Sequence, residues 1–413
     1  GRSVINFFNN KKVNNFFIWD DNKTIRDTNG IEKKYKEKYF AKILDAIDWI
    51  ILSPGISIER SKLKKKLIKN RHKIITDLDL FYILNPTIQS IVVTGSNGKS
   101  TTCKIIENVL KKNNIKVKLG GNIGKPVLDL VIKKNSTIVI EASSFQLEYS
   151  QFIRPSYAMI LNITNDHLDW HLTMKNYRRS KFKIFSNQQK NNFAFLNNKK
   201  FINYYKKNNF KGKLKFVSTK NYNFVRKKIR NIYLNSKINH VNMSFAYQLA
   251  KELNIRDKSF IRAVNFFKGL EHRHEIFMKK KGITFINDSK ATSFEATRHA
   301  LMSNKNIYWI LGGLPKKKDY FYLKNLKKVI IKAYIIGKNS SFFKQQVKKY
   351  IPYTISRNMK NAVNNIYKDI RVSRDSKNTV LLSPAAASFD QFKNFEDRGI
   401  FFKNLIMKKF KWN

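Results

Sequence analysis

The segment Ile91-Val92-Val93-Thr94-Gly95-Ser96-Asn97-Gly98-Lys99-Ser100-Thr101 carries the clearest chemistry in the chain. An apolar run enters a glycine turn. A stretch with Cys103, Ile105, Ile106, Val109 and Leu110 on one side leaves it, which reads as strand, loop and amphipathic helix. Glycines let backbone N–H groups face an anion, and a helix N-terminus adds partial positive charge; Lys99 can reach terminal phosphates, and Ser100 or Thr101 can hold magnesium. Gly95, Asn97, Gly98, Lys99, Ser100 and Thr101 are therefore candidate contacts of a nucleoside triphosphate. The longer form of this motif has a glycine five residues before Gly98, where this chain has Val93, so the match is to the shorter Gly-x-x-Gly-Lys-Ser/Thr form. That shorter form also describes an ordinary turn and helix cap; the strand before it and the helix after it favour phosphate.

Other reactive groups also follow apolar runs. Glu141 and His167 each stand just past one, and Lys181 lies beyond in a stretch of helical character. A carboxylate and an imidazole suit a divalent ion beside phosphates. Singly, Glu141 reads equally well as a helix-capping acid, His167 as a surface histidine and Lys181 as a solvated charge; together, flanking a phosphate loop, the first two favour metal. Asn287-Asp288-Ser289-Lys290-Ala291-Thr292 follows a run at 283–286, where Asp288 or Ser289 can cap the next helix. Ser383-Pro384-Ala385-Ala386-Ala387-Ser388 ends another, with Ser388 and Gln391 spaced as a capping box. A helix start of that kind is also a carboxylate site. Asp20 and Asp21 end a run at 15–19, where an acid can accept hydrogen bonds from a ribose or base, and Ser53-Pro54-Gly55 offers a tight turn for pyrophosphate.

The elements that must position these groups are strands alternating with lysine-rich amphipathic stretches, the pattern of an α/β protein with mainly parallel sheets. Strands are expected at 15–19, 49–52, 90–94, 137–140, 157–162, 283–286, 307–311, 333–336 and 379–382. Ligands of open α/β sheets bind outside the carboxyl ends of strands, and the polar residues above sit at such ends. Three groups of endings predict three domains, at 1–87, 88–269 and 270–413. The stretch 187–238, repetitive in Lys, Asn, Phe and Tyr, carries little pattern to read, and no repeat of solenoid period is present. Gly1-Arg2-Ser3-Val4-Ile5 reads as a glycine turn entering a helix, with a further strand expected ahead of it.

The chain has 413 residues, too many for one core, and 42% hydrophobic content, which excludes a disordered polycation. Its net charge of +54 is spread over nearly every segment among Asn, Ile, Phe and Tyr, so coding bias explains it better than a nucleic-acid surface. Acidic small molecules would still be attracted. The single cysteine, Cys103, can form no internal disulfide and no zinc set, which suits a reducing compartment such as the cytoplasm. No apolar run approaches the roughly 20 residues that span a bilayer, and none reads as a signal peptide, so no membrane partner is expected.

The run from Thr94 to Thr101, with Gly120-Gly121-Asn122-Ile123-Gly124, Glu141-Ala142-Ser143-Ser144-Phe145-Gln146-Leu147-Glu148 and Asn162-Ile163-Thr164-Asn165-Asp166-His167, resembles the Mur ligases, ATP-dependent amide-forming enzymes of peptidoglycan precursor synthesis. Tyr177-Arg178-Arg179-Ser180-Lys181, His272-Arg273, Asn287 to Thr292 and Ser383 to Gly399 continue the likeness, which covers nearly the whole chain and is strongest toward the D-glutamate-adding members. The resemblance implies a Rossmann-like N-terminal domain for the UDP-sugar, a central P-loop ATPase-like parallel sheet, and a Rossmann-like C-terminal domain for the amino acid. It implies ATP contacts at Asn239, Arg273 and Asp288 besides the loop, with Asn242 at a second matching asparagine position. Two magnesium ions are implied at Ser100, Glu141, His167 and a carbamylated Lys181. Neighbouring positive charge, from Arg178, Arg179 and the metal, is expected to help that amine lose its proton. It further implies UDP-N-acetylmuramoyl-L-alanine contacts at Asp20, Asp21, Ser53, Gly55, Asn122 and His167, and D-glutamate contacts at Thr292, Lys316, Ser388 and Phe395. Lys99, His167, Lys181 and Lys290 are implied as catalytic, in a monomer. A sister ligase or a folylpolyglutamate-synthetase-like enzyme is the alternative, and a basic nucleic-acid-binding protein the more distant one.

Overall fold

The computed structural model describes residues 1–13, 15–22, 37–231, 233–235, 237–316, 319–372 and 377–410. These divide into two compact units, Gly1–Phe267 and Lys268–Asn413.

In the first unit, β1 (Ile50–Ile51) and β2 (Ile74–Ile75) form a small parallel pair. Around it lies a core of Phe40, Leu44, Leu52, Ile58, Leu63 and Leu67, closed by Tyr149, whose hydroxyl accepts the Ile58 N–H at 3.0 Å. The main sheet comprises β3 (Ser90–Thr94), β4 (Val117–Gly121), β5 (Thr137–Glu141), β6 (Tyr157–Ile160), β7 (Phe193–Leu196) and β8 (Lys213–Phe216). All six strands are parallel, in the order β4-β5-β3-β6-β7-β8. β3 and β5 are buried throughout, as strands covered by helices on both faces must be, and this is why they read as continuous apolar runs. Helix Lys99–Lys112 lays Cys103, Ile105, Ile106, Val109 and Leu110 against one face, packed with helices Lys237–Glu252 and Asp257–Asn265. Helix Asp77–Leu84 packs Leu78, Phe81 and Tyr82 on the other. From β3 the chain goes to β4 at one edge, returns to β5, then crosses to β6, so the connection reverses at β3. At such a reversal the loops part and leave a crevice.

The second unit holds β9 (Glu275–Lys280), β10 (Ile283–Asn287), β11 (Ile307–Gly312), β12 (Ile330–Ile336), β13 (Tyr353–Arg357) and β14 (Asn378–Leu382). Their order is β13-β12-β11-β14-β10-β9, with only β9 antiparallel among the paired strands. β14 inserts between β10 and β11, bringing the ends of three strands together.

One expectation needs correction, and one unread stretch is resolved into elements. Residues 15–19 form no strand; Trp19 instead stacks on Phe40 at 4.8 Å, so this aromatic run serves packing and not a sheet. The stretch 187–238 contains β7, β8 and helices Lys199–Lys207 and Thr219–Arg226. β8, Lys213-Leu214-Lys215-Phe216, is an edge strand whose two lysines lie over the Phe193 ring of β7, and its short alternation is hidden among the other lysines. No helix among the described residues is long and apolar enough to cross a membrane.

Candidate active site

The reversal at β3 places the phosphate loop where the fold provides a crevice. The parallel register sets Glu141, the last residue of β5, beside Val93, and Ile160 of β6 beside Thr94. Gly98 adopts a left-handed φ of +86° as the N-cap of helix Lys99–Lys112, which favours glycine, and a Cβ there would also press on the end of the Asn242 side chain. Asn242 in turn donates to Asn239 Oδ1 at 3.1 Å, so both asparagines stand behind the loop. Asn97 and Asn162 exchange backbone and side-chain hydrogen bonds of 2.9 and 3.0 Å, and Ser96 Oγ lies 2.9 Å from the Tyr177 hydroxyl. The Lys99 ammonium folds over its own loop, donating to the carbonyls of Gly95 at 2.8 Å and Ser96 at 2.9 Å. Ser100 and Thr101 are buried in the first turn.

Glu141 is 2% exposed; its Oε1 accepts from Asn122 Nδ2 at 2.9 Å, while its Oε2 is buried with no hydrogen-bond partner. An orphaned carboxylate oxygen in the interior is costly unless a cation completes it. Lys181, in helix Met174–Phe182, is 1% exposed, donates to the Gly95 carbonyl at 2.9 Å and lies over the Tyr177 ring at 4.7 Å. Burial holds its amine well below the usual lysine range, and the Lys99 charge adds to this; Asp166 and Glu141 oppose it. The expected helpers Arg178 and Arg179 do not perform this role. Arg178 sits over the Tyr204 ring and Arg179 pairs with Glu148 at 3.4 Å, so burial does the work assigned to them.

His167 takes a left-handed φ of +53° at the start of helix Leu168–His171, with Nε2 3.4 Å from Asp166 and its ring edge-on to Phe145. Sequence reasoning missed His171. It is buried, stacks on Phe145, and has Nε2 2.9 Å from Ser144 Oγ and Nδ1 3.3 Å from Ser180 Oγ. Burial lowers its pKa to about 4, so it stays neutral and wedges the Glu141–Ser144 turn against the helix bearing Lys181. Only its placement one helical turn after His167 hinted at this.

Among the described residues no group of three or more His, Cys, Asp or Glu side chains could hold a metal. A divalent ion therefore needs oxygens of other kinds: the Ser100 hydroxyl, phosphate, or a carboxylated lysine. Magnesium prefers such hard donors, and the unpartnered Glu141 Oε2 fits it. Of the expected UDP-sugar residues, Ser53 and Gly55 form a turn closed by Ile56 N–H to the Ser53 carbonyl. Asp20 accepts from Asn22 N–H at 2.8 Å, and Asp21 accepts from Trp19 Nε1 at 3.0 Å, neither of them at a strand end. Asn122 is engaged with Glu141.

In the second unit, the loops after β10, β11 and β14 are joined. Ser383 Oγ donates to Asp288 Oδ2 at 2.7 Å, and Gly312 N–H donates to the Pro384 carbonyl. Leu314 and Ala387 exchange two backbone bonds of 2.9 Å, which runs the Lys316 loop beside Ser388. Lys316 itself is exposed and acts on Asp319. Ser388 is buried but starts no helix. The capping box expected with Gln391 is absent, because the Gln391 side chain donates to the Arg357 carbonyl; the helix is Phe395–Lys409, capped by Asn394. Lys290 lies 4.4 Å over the Phe395 ring, and Thr292 is half-buried just before helix Phe294–Met302. Gly399 is required because His272 packs where a Cβ would be.

Asp288 is buried, and burial pushes its pKa up to about 7 despite Ser383 and Arg273. A carboxyl whose folded pKa exceeds its unfolded value binds an extra proton when folded, so its contribution is full below about pH 4 and falls as pH rises toward 7. Asp288→Asn should therefore gain stability relative to the parent between pH 4.5 and 7.5, by on the order of a few kcal/mol. Thermal midpoints measured across that range check this; parallel curves for the two proteins would reject it.

A family model for the Mur ligase middle domain matches residues 93–256. The UDP-N-acetylmuramoylalanine–D-glutamate ligase of Rickettsia felis is 33% identical, covering 94% of this chain and 91% of its own. The enzyme of that name from Francisella tularensis subsp. tularensis is 36% identical, covering 88% and 86%. Among solved structures, MurF from Acinetobacter baumannii superposes with a TM-score of 0.60 at 15% identity, covering 80% of this chain and 79% of its own. UDP-N-acetylmuramate-alanine ligase MurC from Thermotoga maritima gives 0.58 at 15% identity, covering 93% and 95%, and these two likenesses are of fold. A phosphate loop at a sheet reversal, an incomplete buried carboxylate beside it, and relatives of one kind over about nine-tenths of the chain lead to the same place: the chain belongs to the Mur ligase family.

Proposed function

We infer that this chain is an ATP-dependent peptide ligase that adds D-glutamate to UDP-N-acetylmuramoyl-L-alanine in peptidoglycan precursor synthesis. The observation that carries the reading is the likeness over about nine-tenths of the chain to ligases named for that reaction. The terminal L-alanyl carboxylate attacks the γ-phosphorus of ATP, the bond to the β-phosphate oxygen breaks, and ADP leaves behind an acyl phosphate. The D-glutamate amine then attacks the acyl carbon and expels phosphate.

The phosphate loop and Lys99 hold and neutralise the γ-phosphate, and Asn239, Arg273 and Asp288 serve the rest of the nucleotide. Ser100, Glu141, His167 and Lys181 are the residues that would hold two magnesium ions, which supply charge neutralisation on the transferring phosphoryl group. For Lys181 to join them its neutral amine adds to carbon dioxide and releases a proton, leaving an anionic carbamate; the buried, low-pKa amine supports this. Residues 1–87 serve the UDP-sugar, with Asp20, Asp21, Ser53 and Gly55, joined by Asn122 and His167. Residues 88–269 serve ATP. Residues 270–413 serve D-glutamate, through Thr292, Lys316, Ser388 and the backbone at Phe395, with Lys290 beside the reacting groups. The enzyme works as a monomer in the cytoplasm, where a lone buried thiol such as Cys103 stays reduced.

The test is phosphate release from ATP, magnesium and UDP-N-acetylmuramoyl-L-alanine with D-glutamate, L-glutamate, L-lysine or meso-diaminopimelate. Release should require D-glutamate. Release with another amino acid would move the chain to a sister step, and none with any would overturn the ligase reading.

A further inference from the structure

Arg398 is 1% exposed, in the first turn of helix Phe395–Lys409. Its Nε donates to Ser289 Oγ at 3.0 Å, and its Nη2 donates to the carbonyls of Ser289 at 2.7 Å and Ala386 at 3.0 Å. Ser289 Oγ passes the chain on, donating to the Phe395 carbonyl at 2.8 Å. One guanidinium thus ties the loop after β10 to the loop after β14 and to the head of the last helix. Lys290 follows Ser289, Ser388 stands two residues past Ala386, and Phe395 opens the helix, so each tied segment carries a residue of the expected amino-acid site.

The charge of Arg398 is also poorly compensated. Among the described residues it forms no ion pair, its Nη1 is buried without a hydrogen-bond partner, and the acid acting on it from a distance is Asp390, already engaged with the Lys338 N–H. Burial lowers its pKa to about 10, which still leaves it charged at neutral pH. A buried cation without an ion-pair partner is costly even when hydrogen-bonded, and an apolar side chain of similar volume commonly gives a more stable core. Packing alone therefore does not account for arginine here, whereas an anionic ligand would complete the charge balance. Lysine could not substitute, because only the planar guanidinium reaches both loops at once.

We propose that Arg398 is a positioning and specificity residue for the amino-acid acceptor: it locks the loops carrying Lys290, Ser388 and Phe395, and its uncompensated charge favours an acceptor with two carboxylates. The proposal rests on the D-glutamate reading above and deepens it. Steady-state kinetics of the full chain test it, varying ATP, UDP-N-acetylmuramoyl-L-alanine and D-glutamate in turn, for the parent, Arg398→Met and Arg398→Lys. In Arg398→Met, KM for D-glutamate should rise about 10- to 100-fold, by analogy with loss of a charged hydrogen-bonding group, while the other two KM values stay within about threefold. Its thermal midpoint should hold or rise. Arg398→Lys, keeping charge without the fork, should give an intermediate KM and serves alone should the Met variant fail to fold. An unchanged KM for D-glutamate, a Lys variant equal to the parent, or equal loss in all three KM values together with a lower midpoint would each overturn the proposal. If the parent uses a different amino acid, the D-glutamate reading fails, and the same comparison with that amino acid still decides the role of Arg398.

Discussion

Lys99→Ala lowers ATP-dependent phosphate release by about 10²–10³-fold or more, the loss typical of one preorganised charge partner in a transition state. The protein should stay folded. Two opposing effects make this so: the variant loses hydrogen bonds to the Gly95 and Ser96 carbonyls, of roughly 1–3 kcal/mol each, but also removes the like charge that presses on the buried Lys181 amine. The loop itself is held independently by the Asn97–Asn162 exchange and by Ser96 with Tyr177. Phosphate release and thermal unfolding measured on the same preparation check the split. Activity above about a tenth of the parent would remove Lys99 from the γ-phosphate.

Lys181→Met should be as inactive, by about 10²-fold or more, since neither a carbamate nor any other oxygen can form there. Methionine matches the length of the lysine stem and needs no desolvation, so the thermal midpoint should be kept or raised. Loss of activity with gain of stability is the signature of a functional buried charge. With ¹³C-bicarbonate, the parent should show a carbamate carbon resonance that the Met variant lacks. A resonance present in both proteins would place the modification on another lysine, and an active Met variant would dismiss it altogether.

The two residues differ in how they can be found. Lys99 is legible because the placement of its amine depends on neighbours in the chain: a strand, two glycines and a helix start within eleven residues define where it can go. Lys181 is one lysine among many, and nothing local separates it from Arg178 or Arg179. What singles it out is its burial on helix Met174–Phe182, with its amine against the Gly95 carbonyl of the phosphate loop, a contact between residues far apart in the chain. For the same reason the chain order points to help from adjacent arginines, which helical geometry turns toward Tyr204 and Glu148, while burial and Lys99 lower the pKa.

The strands followed a similar division. β3, β5, β10, β11 and β14 were readable because a strand covered on both faces must be apolar along its length. β8 and β13, at sheet edges, are covered less completely and mix apolar with polar residues, Phe216 and Ile355 being exposed, so they show no continuous apolar run. The run at 15–19 has strand-like residues but spends them on packing, as Trp19 on Phe40 shows.

The sequence by itself determined the α/β class, the phosphate loop and the strand ends that carry Glu141, Asp288 and Ser383, because these follow from short-range pattern and backbone chemistry. Only the tertiary structure decided that Glu141 has one carboxylate oxygen without a hydrogen-bond partner, that Asn242 closes over Gly98, and that Arg398 joins three segments with no ion pair among the described residues. Burial and pairing of this kind depend on residues far apart in the chain, and desolvation, which sets the cost of a charge, is a property of the fold and of no single segment.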